Sequence, residues 1–179
     1  MRLFVGIPLP ESAHRMLSRV QDELRPFIKR GRLTDHTLFH LTLLFIGEVD
    51  ANQISILTSH LKNGLQTFHP FQLNLASLGT FDRGIESVLW IGIQQPPKIL
   101  DELSKTIQHI VKNLKLEPSD QPFRPHITLG RQIVLINHGD HHRVHVPSIS
   151  FEVNRIHLYL SHQVDGKLTY TPLDTYHLI

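Results

Sequence analysis

Residues 39–50, FHLTLLFIGEVD, begin as a buried strand would, yet a histidine and a threonine stand two positions apart in them. Successive side chains on a strand face opposite ways, so His40 and Thr42 share one face while Leu41 and Leu43 point into a core from the other. The pattern returns at residues 126–129, where His126-Ile127-Thr128-Leu129 repeats the order His, apolar, Thr, apolar. Composition alone would yield about one His-x-Thr in such a chain, and roughly 0.14 once both neighbours must be apolar. Either motif by itself reads as a half-buried histidine on an amphipathic strand; a matched pair points to a joint role.

The surroundings of the two motifs read as mixed α/β. RLFVGIPL at the start is short, apolar and closed by prolines, a strand buried on both faces. Ala13, Met16, Leu17, Val20, Leu24, Phe27 and Ile28 then recur at steps of three and four, which predicts a helix from Pro10 to about Ile28, with Pro26 disturbing its last turn. KRGRLTDHT reads as a polar loop leading into the first motif. Beyond Gly47, Asp50 and Gln53 have the spacing of a capping box, and Ile54, Leu57, Leu61 and Leu65 continue as a helix.

FQLNLAS and SVLWIGI predict two strands within residues 71–93 around GTFDRG, and Ile99 to Leu114 follow as the clearest amphipathic helix. After the second motif, SFEVNRIHLYLS alternates as one long strand, and VDGK supplies the Asp-Gly turn of a hairpin into LTYTPLDTYHLI. The order contains no run of β-α alternation long enough for a doubly wound sheet, so the expected class is α+β.

Composition narrows the setting. A chain of 179 residues with 40% hydrophobic and 19% charged residues is of the size and make-up of one globular domain. No apolar run approaches the ~20 residues that span a bilayer, and the N-terminus lacks signal-peptide features, so a cytoplasmic location and no membrane partner are expected. The absence of cysteine excludes disulfides, thiolate metal sites and a cysteine nucleophile. The net charge of +2 is small and no dense basic run occurs, so any phosphate site should be local.

Two imidazoles with ordinary pKa values near 6.5 can take and give a proton in one displacement at neutral pH. A threonine hydroxyl beside each is suited to the non-bridging oxygens of a phosphate held between them. Arg131, three residues beyond Thr128, is a candidate cation for that phosphate, although a regular strand would turn it to the opposite side unless the strand bends. Arg124 is a further candidate, and Phe39, Phe81 or Tyr159 could stack on a base.

With these residues in view the sequence resembles the two-histidine phosphoesterase superfamily, and within it the RNA 2′,3′-cyclic phosphodiesterases, also called LigT-like or 2′-5′ RNA ligases. The resemblance rests on RLFVGIPLP, FHLTLLFIGEV, SVLWIGI, FRPHITLGR and IHLYLSHQVDGKLTYTPL, and so covers nearly the whole chain. It implies a bilobal fold, two antiparallel sheets with flanking helices around a central groove, with residues 1–179 forming a single domain of two pseudo-symmetric lobes. It implies no metal or other cofactor, and action on RNA with 2′,3′-cyclic phosphate ends or on cyclic nucleotides; a monomer is expected. The reaction implied is hydrolysis to a 2′-phosphomonoester, with 2′-5′ RNA ligase activity in some members. Carried over residue by residue, His40 is the proton donor and His126 the proton acceptor, while Thr42, Thr128 and Arg131 bind phosphate. The chain departs from the family at Leu44, where a basic residue is common, and in GRLTDHTLF, where a tryptophan-containing segment is common.

Two other classes of function stand beside this one. The loop NHGDHHRVH crowds His138, Asp140, His141, His142 and His145 within eight residues, which opens a metal-binding reading. A non-catalytic module that only binds RNA ends or nucleotides would retain the same motifs.

Overall fold

In the computed structural model, which describes residues 1–179, every strand pairing is antiparallel. The order is β1 (Arg2–Pro8), α1 (Glu11–Leu24), β2 (Ile28–Leu33), β3 (His40–Glu48), α2 (Ile54–Leu65), β4 (Phe71–Arg83), β5 (Glu86–Ile93), α3 (Lys98–Asn113), β6 (His126–Leu135), β7 (Ile149–Val153), β8 (Arg155–Val164) and β9 (Lys167–His177). The α+β class expected from the sequence holds. The two expected sheets, however, form one path, β7-β4-β5-β6-β3-β1-β8-β9, with β2 added to β6. They join where β6 meets β3, at the single registered pair Leu41 and Ile127. Both residues are fully buried, so the junction is at once the midpoint of the strand order and part of the core.

Four local readings differ from the sequence expectation. The first helix ends at Leu24, and Arg25–Phe27 form a 3-10 turn, because Pro26 has no amide hydrogen to continue the α-helical ladder. IKRGRL is a strand, β2, although only its two end residues are even partly buried; an edge strand held by backbone pairing to β6 needs no apolar face. The long strand read in SFEVNRIHLYLS divides at Asn154: its first part pairs with β4 and its second with β1 and β9. Asp50 makes no side-chain cap, and a 3-10 turn over Ala51–Gln53 leads into α2 instead.

The helices cover one face of the sheet. Ala13, Leu17, Val20 and Leu24 bury one side of α1, and Leu100, Leu103, Ile107 and Val111 one side of α3. The helix α3 packs on β3, α2 on α3 and β9, and α1 on β7. A single cluster of 38 buried apolar residues runs through both halves. No helix is long and apolar enough to cross a membrane.

Leu41 is the most informative core position because it holds the junction. Leu41→Ala should cost about 2–5 kcal/mol in urea unfolding. Because Leu41 and Ile127 face each other, the double variant with Ile127→Ala should lose measurably less or more than the sum of the single losses.

Candidate active site

The register at Leu41 and Ile127, continued along the antiparallel strands, sets His40 across from Thr128 and Thr42 across from His126. All four side chains emerge on the face away from the buried Leu41 and Ile127. The surface follows this diagonal. His40 and Thr128 line a cavity of about 230 Å³ together with Arg32, Arg131 and Tyr170. Thr42 and His126 line another of about 310 Å³ that reaches to α3.

Each imidazole is held in the same way. His40 Nδ1 lies 2.7 Å from the Leu38 carbonyl and His126 Nδ1 lies 2.6 Å from the Arg124 carbonyl, two residues upstream in both cases. A carbonyl only accepts, so Nδ1 carries the proton in both rings and Nε2 of the neutral form is a lone-pair acceptor. One asymmetry separates them: the Thr42 hydroxyl donates to His40 Nε2 at 2.8 Å, whereas His126 Nε2 has no such protein partner.

The rings also differ in surroundings. His40 is packed against Phe4 at 4.8 Å and meets the edge of Tyr170 at 5.1 Å, with Tyr159 stacked behind on Phe4. A Cβ on Gly6, opposite Thr42 on β1, would crowd the Leu41 carbonyl oxygen at 3.1 Å and come into ordinary contact with the His40 ring at 3.4 Å. Burial pushes the His40 pKa down to about 4; the Leu38 carbonyl opposes this, and the charges of Arg131 and His126 add to it. Although enclosed by aromatic rings, the residue still reaches the groove with part of its surface. His126 contacts Phe81 edge-on at 5.0 Å and Trp90 at 6.4 Å, and burial with the Arg131 charge lowers its pKa too.

Arg131 lies on the groove side, where it borders three adjoining cavities. Simple alternation would send it to the core, and the reason it does not is a β-bulge. Between the pairs Trp90–Thr128 and Leu89–Gly130, β6 carries one residue more than β5, namely Leu129. Leu129 and Gly130 are consecutively buried and the phase inverts, so Arg131 faces out. β3 does the same: Leu43 is the extra residue between Val5–Leu44 and Gly6–Thr42, Leu43 and Leu44 are both buried, and Phe45 turns outward. Phe45 is 44% exposed and borders the groove beside His126 and Arg131. Period-two reading of the strand hid this residue; the consecutive apolar pair at 43 and 44 was the available signal.

The other sequence candidates divide. The Arg124 guanidinium lies over the Phe81 ring at 5.8 Å, and both border the His126 side of the groove. Phe39 is buried in the core, and Tyr159 is buried with its face stacked on Phe4. The histidine-rich loop assembles no group of three or more metal-ligating side chains. Its Asp140 accepts from the Asn137 amide and side chain and pairs with Arg143, and His141 is buried against the ring of His142. Of these residues Asp140 is committed to the loop itself, and the buried His141 Nδ1 has no hydrogen-bond partner.

An antiparallel sheet whose two central strands each bring a His-x-Thr pair to one groove is the architecture of the two-histidine phosphoesterases. Comparison with known proteins gives the family more narrowly. The family model described as the 2′-5′ RNA ligase superfamily matches residues 8–165. The chain is 30% identical over 179 residues to an RNA 2′,3′-cyclic phosphodiesterase of Escherichia coli K12, covering 96% of this chain and 93% of the relative. It is 30% identical over 138 residues to one of Thermotoga maritima, covering 73% of this chain and 70% of the relative. The crystal structure of E. coli LigT in apo form superposes with a TM-score of 0.82 at 30% identity, covering 99% of this chain and 96% of that one. The chain belongs to the 2′-5′ RNA ligase superfamily.

The depressed His40 pKa makes a pH prediction. The folded state favours neutral imidazole, so the unfolded chain binds the extra proton between about pH 6.5 and 4, and stability falls as pH drops through that window. Urea unfolding at pH 7 and pH 4 should show a loss larger by about 3 kcal/mol in the parent than in His40→Gln. In an NMR titration the His40 ring should remain neutral down to pH 5.

Proposed function

We propose that the protein hydrolyses the 2′,3′-cyclic phosphate at an RNA end, or of a nucleotide, to a 2′-phosphomonoester, with His40 and His126 as its acid–base pair. The observation that carries this is the pair of Nδ1-anchored imidazoles on groove-facing positions, each set across from a threonine of the other motif strand. The curated relatives named RNA 2′,3′-cyclic phosphodiesterase support the substrate class.

In this reading His126 Nε2, having no protein partner, removes the proton from a water that attacks phosphorus. The P–O3′ bond breaks on the opposite side, and His40 gives its Nε2 proton to the departing O3′. Thr42, Thr128 and Arg131 hold the equatorial oxygens as negative charge builds on them. His40 is neutral at rest because burial disfavours its charge, so it acquires the proton to be donated when the anionic phosphate enters and offsets that burial. Once protonated, His40 can donate to O3′ only if Thr42 releases Nε2 and turns its hydroxyl to the phosphate. The exposed ring of Phe45 offers a face to a base. The chain acts as one domain, residues 1–179, whose two lobes share a core, and as a monomer. A second nucleoside hydroxyl in place of water would give the 2′-5′ linkage of a ligase reaction.

A nucleoside 2′,3′-cyclic phosphate assayed with a chelator present tests this reading. Turnover should persist and the product should carry its phosphate on O2′. His40→Ala and His126→Ala should each lower kcat by about 10²- to 10⁴-fold. Binding without turnover would identify a non-catalytic module, loss of turnover with chelator a metal enzyme, and near-normal turnover by His126→Ala would remove the base from the scheme.

A further inference from the structure

Two polar side chains buried on the core side of the sheet, Gln21 and Ser104, take no part in the scheme above. They are 5% and 6% exposed and sit on the apolar faces of α1 and α3, where the helical spacing calls for hydrophobic residues. Burying such a group costs free energy unless it is hydrogen-bonded, so their partners explain their presence. Gln21 Nε2 donates to the Leu129 carbonyl at 2.9 Å and to the Thr34 carbonyl at 2.8 Å. Ser104 Oγ donates to the Leu43 carbonyl at 3.0 Å.

Leu129 and Leu43 are the two extra residues of the bulges, each three positions after its motif histidine. A bulged residue falls out of the ladder and leaves its backbone group to find another partner. The Leu129 carbonyl finds the Thr34 amide at 2.9 Å and Gln21; the Leu43 carbonyl finds Ser104. The same device therefore occurs twice, from different helices, with different residue types, at equivalent points of the two motif strands. Two residues beyond each bulge stand the side chains it turns into the groove, Arg131 and Phe45. The bulge on β6 is further confined from its edge: Gln132 adopts a left-handed φ of 55°, and its side-chain oxygen accepts from Arg32 Nη2 at 2.7 Å.

We infer that Gln21 and Ser104 are positioning residues, each capping the carbonyl of one bulge so that Arg131 and Phe45 are held facing the groove. Gln21 acts through the strand; Ser104 borders the cavity of Thr42 and His126, but its hydroxyl is committed to the Leu43 carbonyl and so acts through the strand as well. Without the cap, the Leu43 carbonyl loses its Ser104 partner and the Leu129 carbonyl keeps only the Thr34 amide, and a regular register, which returns residue +5 toward the core, competes with the bulged one. This inference rests on the proposed roles of Arg131 in phosphate binding and Phe45 in base stacking.

The test is a pair of double-variant cycles with a nucleoside 2′,3′-cyclic phosphate as substrate. Gln21→Met and Ser104→Ala remove the donors while keeping much of the buried volume. Each should raise KM about 3- to 10-fold, the worth of one hydrogen bond, and leave kcat within about 2-fold. In an Arg131→Ala background Gln21→Met should have no further effect on KM, while in a Phe45→Ala background it should retain its full effect. Ser104→Ala should show the converse. A general softening of the fold would raise KM regardless of background, and that result overturns the inference, as does an unchanged KM in both single variants. If Gln21→Met fails to fold, the Ser104 cycle decides alone. Should Arg131→Ala itself leave KM unchanged, it is the proposed phosphate role of Arg131 that fails.

Discussion

The contact between Leu41 and Ile127 is what the rest of the molecule depends on. It is the one registered pair between the central strands, and it joins two four-stranded halves into a single path. Its position sets the diagonal of the groove, because a strand places neighbours on opposite faces: once Leu41 and Ile127 are buried together, the residues on either side of them must emerge together. A slip of one residue would send the histidine of the slipped strand into the core. The buried apolar faces of α1 and α3 exclude that slip, since the register has to keep Leu41, Leu43, Ile127 and Leu129 beneath them.

Burial has a second consequence in the electrostatics. The aromatic surroundings that fix the His40 ring also remove it from water, and the neighbouring charges of Arg131 and His126 act in the same direction. The groove thus holds neutral rings, of which only His126 has an Nε2 without a protein partner, and a guanidinium nearby. Such a site attracts an anion without holding a proton in advance, and in the proposed reaction the ligand itself brings about the protonation that the donor needs. The Thr42 hydroxyl occupies His40 Nε2 in the meantime, which distinguishes two imidazoles that otherwise have equivalent backbone anchors.

How far the sequence reaches is seen in particular residues. His40, Thr42, His126 and Thr128 are legible because strand periodicity is local: two residues apart means one face, whatever the rest of the chain does. The helices are legible for the same reason, through apolar positions such as 100, 103, 107 and 111. Gln21 and Ser104 carried a signal of the same kind, a polar residue on an apolar helical face, but its meaning lay in a carbonyl on a distant strand. The edge strand β2 carried almost none, since backbone pairing to β6 holds it with hardly any help from side chains.

By itself, then, the sequence determined the α+β class, the two motif strands and which side chains on each share a face, because these follow from short-range geometry and from burial of apolar residues. Only the tertiary structure decided that the two sheets are one, that His40 faces Thr128 rather than its own copy, and that Arg131 and Phe45 reach the groove. Those facts depend on register and on bulges, which are set by contacts between residues far apart in the chain. A strand's own pattern of alternation cannot announce where an extra residue will interrupt it; the partner strand and the helix that caps the freed carbonyl determine that.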